Sequence, residues 1–174
     1  MNVIVTTYNP HWPIMFHAEA LDLSEVFGEN LLDIHHIGST SVPGLKAKPI
    51  IDIMPIVKDI QVIDTLGEKM QELGYEAMGE YGIPNRRYFR KGGENRTHHV
   101  HVFEVGSEHI ERHLAFRDYL RAHLDEATRY GDLKEALAKR YPEDIEAYMD
   151  GKNDYIKRVE SQALLWARSQ SNVG

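Results

Sequence analysis

Two hydrophobic periods alternate along the chain, and each change of period marks an element. From Ile14 to Phe27 the apolar residues Ile14, Met15, Ala18, Leu21 and Val26 recur at helical spacing, after the turn-forming Asn9-Pro10-His11-Trp12-Pro13 and before Gly28. Short apolar runs between turn residues predict strands at 31–37 and 49–57. Gln61–Leu73 reads as helix stopped by Gly74, and Tyr75–Met78 as a short strand. Residues 79–85 are loop. Arg86–Lys91 and Thr97–Val105 read as paired strands joined through Gly92-Gly93-Glu94-Asn95. From Ser107 onward the period is helical: Ile110, Leu114, Ala115, Tyr119 and Leu120 share one face, and Leu133–Tyr141 and Asp144–Arg168 continue, interrupted at Pro142. Ser169–Gly174 is expected to fray. This order predicts an α+β fold in one domain spanning residues 1–174, a mixed β-sheet flanked by helices with a helical C-terminal part over about 107–168.

Composition narrows the class. With 174 residues, 42% of them hydrophobic, the chain can bury one good core. A net charge of −7 argues against a protein that coats nucleic acid through its phosphates, although a local basic cleft is compatible with it. Cysteine is absent, which excludes disulfides and thiolate metal sites and fits a reducing compartment. No apolar run approaches the roughly 20 residues of a membrane span, and the N-terminus has no charged-then-apolar signal pattern. A cytoplasmic protein is the expectation.

Three constellations carry candidate chemistry. Gly38-Ser39-Thr40-Ser41 offers backbone N–H groups and hydroxyls in a glycine-opened turn, which can form an anion-holding concavity. It lacks the Walker pattern, and such a turn taken alone is more often an ordinary loop; the nearness of Asp52 in the chain is what points to a phosphate site. Asp52 lies inside an apolar strand, where an unpaired carboxylate is costly; it reads as a metal ligand or general base, or as a partner of Lys48. Strand alternation puts His99 and His101 on one face, a spacing that can ligate one divalent ion. Finally Arg86, Arg87, Arg90, Lys91 and Arg96 gather around Tyr88 and Phe89 within an acidic protein. Alternation separates Arg87, Phe89 and Lys91 from Arg86, Tyr88 and Arg90. The set suits phosphate or carboxylate binding, or simply a charged, edge-protecting hairpin. Tyr141, Tyr148 and Tyr155, seven residues apart, read as core packing or a docking face.

On these residues the chain resembles the GrpB family. The matching stretches are His36 through Leu45, Lys48-Pro49-Ile50-Ile51-Asp52-Ile53, Arg87 through Lys91, Thr97 through Val102 and Phe116 through Arg121. Tyr130, Leu133-Lys134 and the Tyr148, Lys152, Ile156 spacing also fit. The resemblance implies a nucleotidyltransferase-like fold. It further implies that Gly38-Ser39 contact nucleotide phosphates and that Asp52 is the first of the metal-holding acids. The second acid of active superfamily members is replaced here by Met54, whose thioether is no ligand for magnesium. Members of the family also occur fused to dephospho-CoA kinase, an association with nucleotide or coenzyme metabolism.

The expected function is therefore nucleotidyltransferase-type, acting on or binding a small nucleotide or phosphorylated ligand. Gly38, Ser39, Thr40 and Ser41 would hold phosphate; Lys48, Arg87, Lys91 and Arg96 would neutralise it. Asp52, His99 and His101 would bind a divalent cation (magnesium, manganese or zinc) or move a proton. The alternatives are a non-catalytic nucleotide-binding module that has lost the two-acid metal site, which Met54 favours, and a protein-interaction domain using the tyrosine-bearing helical tail.

Overall fold

A computed structural model of the chain describes residues 3–171, with the side chain of Ser171 left out. Of the end expected to fray, residues 172–174 lie outside the described range. The described residues form two compact units, one built on a sheet and one on helices.

The sheet unit comprises Pro10–Ile37 and Ile50–Ile110. It holds helix α1 (Trp12–Phe27), strands β1 (Leu31–Ile37) and β2 (Ile51–Val57), a 3-10 segment at Ile60–Thr65 and helix α2 (Gly67–Glu72). Strands β3 (Tyr75–Ala77), β4 (Arg87–Lys91) and β5 (His98–Glu104) follow. The strand order is β1-β2-β5-β4-β3. Only β2 and β5 run parallel; the other neighbours are antiparallel. The mixed α+β sheet expected from the alternating periods is thus present, each strand within two residues of its expected ends.

Helix α1 buries a different stripe from the one its aliphatic residues suggested. Trp12, Phe16, Glu19, Ala20, Leu23 and Phe27 face inward, whereas Ile14, Met15 and Leu21 are exposed. The aromatic rings decide this, because they remove more apolar area from water than the aliphatic set. Phe16 stacks on His36 of β1 with ring centroids 5.0 Å apart. Glu19 reaches the sheet as well: it accepts hydrogen bonds from the Tyr75 hydroxyl at 2.7 Å and from Lys91 Nζ at 2.8 Å. The β4–β5 turn depends on Gly92, whose φ is +107°; a Cβ there would sit 2.3 Å from the Asn95 carbonyl oxygen.

The helical unit comprises residues up to Asn9, Gly38–Pro49 and Glu111 onward. Its helices are the continuation of α3 (Glu108–Ala122), α4 (Leu124–Arg140) and α5 (Ile145–Ser171). Helix α4 begins nine residues before the expected Leu133, because Ala127 and Tyr130 already face the core and His123 alone separates it from α3. Asp125 and Glu126 in its first turn and Lys139 and Arg140 in its last complement the helix dipole. The core joins Val42, Leu45, Leu120, Ala127, Tyr130 and Val159, with Phe116, Tyr119, Tyr155 and Ile156 packed around it. Gly131 lets α4 approach the 38–49 segment, where an added Cβ would lie 3.4 Å from Leu45 and Lys46. Thr6 and Ala47 exchange both backbone hydrogen bonds, fastening the N-terminal segment. Tyr148 is fully buried and Tyr155 stacks on Tyr130, so two of the three spaced tyrosines pack the unit's interior. Among the described residues no helix is long and apolar enough to cross a membrane.

Candidate functional site

Register builds the site. Ile37 of β1, Asp52 of β2, His99 of β5 and Arg90 of β4 are successive cross-strand partners, and His101 pairs with Tyr88 one row further on. Partners opposite one another share a face, so Asp52, His99, His101, Tyr88 and Arg90 lie on one side of the sheet. His98, Val100, Val102, Arg87, Phe89 and Lys91 lie on the other. Parallel pairing of β2 with β5 carries the acid of one central strand to the imidazoles of the next.

Both imidazoles converge on one oxygen. His101 Nε2 lies 3.0 Å from Asp52 Oδ1 and His99 Nδ1 lies 3.3 Å from that same atom. The Asp52 side chain retains 26% exposure. Burial alone would push its carboxyl up; the hydrogen bonds from His101 and His99 outweigh that and hold it well below the usual carboxylate range. Tyr88 packs against both imidazoles, its ring centroid 5.6 Å from His99 and 5.3 Å from His101. Burial, then the neighbouring Asp52 charge, pushes the Tyr88 hydroxyl up to about 12.

A ring of further groups closes around His101. Arg86 is buried and places Nη1 3.3 Å from His101 Nδ1. Its Nε and Nη2 donate to the carbonyl oxygens of Glu80 and Tyr81, and its guanidinium lies 4.8 Å from the Tyr88 ring centroid. Tyr81, at φ +47°, stacks on Tyr88 at 5.1 Å. Arg86 and Tyr88 are the site residues that motif reasoning passed over. Alternation had already put them on one face; the missing signal was the pairing of Tyr88 with His101.

The remaining candidates have other surroundings. Arg87 makes a forked pair with Asp64, at 2.7 and 3.2 Å. Lys91 is paired with Glu19 beneath α1. Arg96 is half-buried and its charge acts on Tyr88. In the helical unit, Gly38 adopts φ +73° and opens a 3-10 turn over Ser39–Ser41. Thr40 and Ser41 are buried there; the Ser41 hydroxyl donates to the Gly38 carbonyl, and Arg121 Nε donates to the Ser41 carbonyl at 2.9 Å. Lys48 Nζ lies 5.3 Å from the centroid of the Tyr148 ring.

The donor set fits one cation better than two. The ligating atoms of Asp52, His99 and His101 all lie within 4.8 Å of one another. One carboxylate and two imidazoles suit zinc, manganese or iron(II). A pair of magnesium ions would need a second carboxylate on β2, and the residue two positions on, Met54, is an apolar side chain with no exposure.

The fold is of the nucleotidyltransferase-like class. Cid1 poly(U) polymerase matches 78% of this chain and 43% of its own with a TM-score of 0.53 at 12% identity, a likeness of fold alone. Within that class the chain belongs to the GrpB family, whose model, described as GrpB protein, matches residues 2–162. The crystal structure of conserved protein GrpB from Enterococcus faecalis is 48% identical with a TM-score of 0.92, covering 94% of this chain and 99% of that one. UPF0157 protein YqkA of Bacillus subtilis (strain 168) is 47% identical over 171 residues, 98% of this chain. The chain spans 50% of that relative's length.

Proposed function

We propose that the Asp52–His99–His101 cluster binds one divalent cation and, through it, a small phosphorylated or nucleotide-like ligand. The observation that supports this most directly is the convergence of two imidazoles on a single carboxylate oxygen, at the centre of a nucleotidyltransferase-type sheet. A cation bound there would supply positive charge to neutralise and polarise a phosphoryl oxygen. Asp52 contributes a carboxylate that stays ionised throughout the neutral range, and His99 and His101 contribute ring nitrogens from the adjacent strand. Tyr88 walls the imidazoles off on one side. Arg87 and Lys91 already neutralise Asp64 and Glu19, so a charge-neutralising role in the sheet unit falls more naturally to Arg96.

Calorimetric titration with manganese, zinc and magnesium, each with and without nucleoside triphosphates, tests this reading. Binding that disappears in Asp52→Asn supports it; binding that is unchanged in that variant sinks it. Met54 favours a second reading, in which the cation and ligand bind without group transfer. Release of pyrophosphate from a bound triphosphate would exclude that second reading.

A further inference from the structure

We propose that Arg86 is a positioning residue that controls how readily His101 ligates a cation, and that it thereby tunes the cation preference of the site. The inference rests on the reading of Asp52, His99 and His101 as a cation site. A guanidinium has N–H donors and no acceptor. His101 Nδ1, 3.3 Å from Arg86 Nη1, therefore presents its lone pair to Arg86. An imidazole with one ring hydrogen then carries it on Nε2, the atom 3.0 Å from Asp52 Oδ1. That hydrogen completes the bond to Asp52 in the absence of a cation.

Ligation by Nε2 reverses the arrangement. The metal takes the Nε2 lone pair, the hydrogen passes to Nδ1, and Nδ1–H then points at a donor. Metal-bound histidines ordinarily give that second N–H to a carboxylate, carbonyl or water, which fixes the ring and raises its basicity. Arg86 is the opposite kind of partner. It is also held in place, by the Glu80 carbonyl at 3.2 Å, the Tyr81 carbonyl at 2.9 Å and the face of Tyr88. Turning it away would break the contacts that fasten the Glu80–Arg86 loop to the sheet.

The consequence is selectivity. A hard ion satisfied by the Asp52 oxygen, water and phosphate oxygens makes no demand on His101. Zinc, which draws on imidazole nitrogen, takes His101 as its second histidine only with an Nδ1–H turned toward the Arg86 donors, which weakens its binding.

Side-chain nitrogen NMR of the metal-free protein, with His101 assigned from the His101→Gln spectrum, reads the ring hydrogen directly. Wild type is expected to show it on Nε2, and Arg86→Lys, which keeps a donor, to show the same. Arg86→Gln offers a carbonyl oxygen and is expected to move the hydrogen to Nδ1. In parallel, zinc binds Arg86→Gln about tenfold or more tightly than wild type, the usual size of an outer-shell effect, while magnesium affinity is unchanged and Arg86→Lys matches wild type. A wild-type ring hydrogen on Nδ1 overturns the proposal, even if Arg86→Gln does not fold. So does a zinc affinity that rises equally in the Lys and Gln variants, which would show mere loosening. Absence of zinc and magnesium binding in every variant, with the expected spectra, overturns the cation reading and the selectivity with it, and leaves the control of the tautomer by Arg86 established.

Discussion

Asp52→Asn separates a carboxylate satisfied by its imidazoles from one strained in wait of an ion. Asparagine keeps the shape and one acceptor oxygen, so the bond from His101 at 3.0 Å survives as a neutral one. A charge-assisted hydrogen bond contributes about 1.5–3 kcal/mol and a neutral one about 0.5–1.5, a difference of about 1 kcal/mol. The longer His99 contact at 3.3 Å adds a fraction of that, and partial exposure of the pair trims it again. For a chain of this size about 1 kcal/mol lowers Tm by about 2–4 °C. Asp52→Ala removes both acceptors and should cost about 2–3 kcal/mol, or about 5–10 °C. The pH dependence has a definite sign. The folded carboxyl lies below the unfolded value of about 3.9, so its contribution is complete above that value and fades as pH falls toward the folded value. The gap between wild type and Asp52→Asn therefore narrows as pH falls below about 4. Metal-free thermal melts across that range provide the assay. A higher Tm for Asp52→Asn than for wild type would refute the reasoning, since it would mean that the imidazoles do not compensate the buried charge. With a cation at a hundred times its Kd, wild type should gain about 2.7 kcal/mol more, and the variant almost none.

Other elements make their own predictions. Glu19 is buried and bonded to Tyr75 and Lys91. Burial raises its carboxyl, and the bonds from Lys91 and Tyr75 more than offset this and lower it. Glu19→Ala should cost about 3 kcal/mol, from two lost bonds to a buried acceptor. That penalty should shrink as pH falls below about 4.3, the unfolded value; a penalty that persists unchanged in acid would contradict the assignment. Among the described residues the buried Tyr148 hydroxyl has no hydrogen-bond partner. Tyr148→Phe keeps the ring against Lys48 and Lys152 and should raise Tm by about 2–4 °C, from about 1 kcal/mol of relieved desolvation. Gly92→Ala forces a Cβ to within 2.3 Å of the Asn95 carbonyl at positive φ and should lower stability by about 1–3 kcal/mol, measurable by urea unfolding.

The strands, the Gly38 turn, Asp52 and the shared face of His99 and His101 were all legible in the chain, because a two-residue alternation and a glycine-opened turn are local properties. Local periodicity also separated Arg86, Tyr88 and Arg90 from Arg87, Phe89 and Lys91. It could not say which of these faces meets the histidines, since that depends on pairing between strands far apart in sequence. The parallel register of β2 with β5 brought Asp52 beside His99, and the antiparallel register of β4 set Tyr88 opposite His101. The same long-range packing turned the aromatic stripe of α1 inward against its more numerous aliphatics, and engaged Arg87 and Lys91 with acids from other elements. Sequence by itself determined which residue types the sheet could offer, through their spacing along each strand. Tertiary structure alone decided which of them share a hydrogen bond, because a distance of 3 Å between Asp52 and His101 is a property of two strands and not of either one.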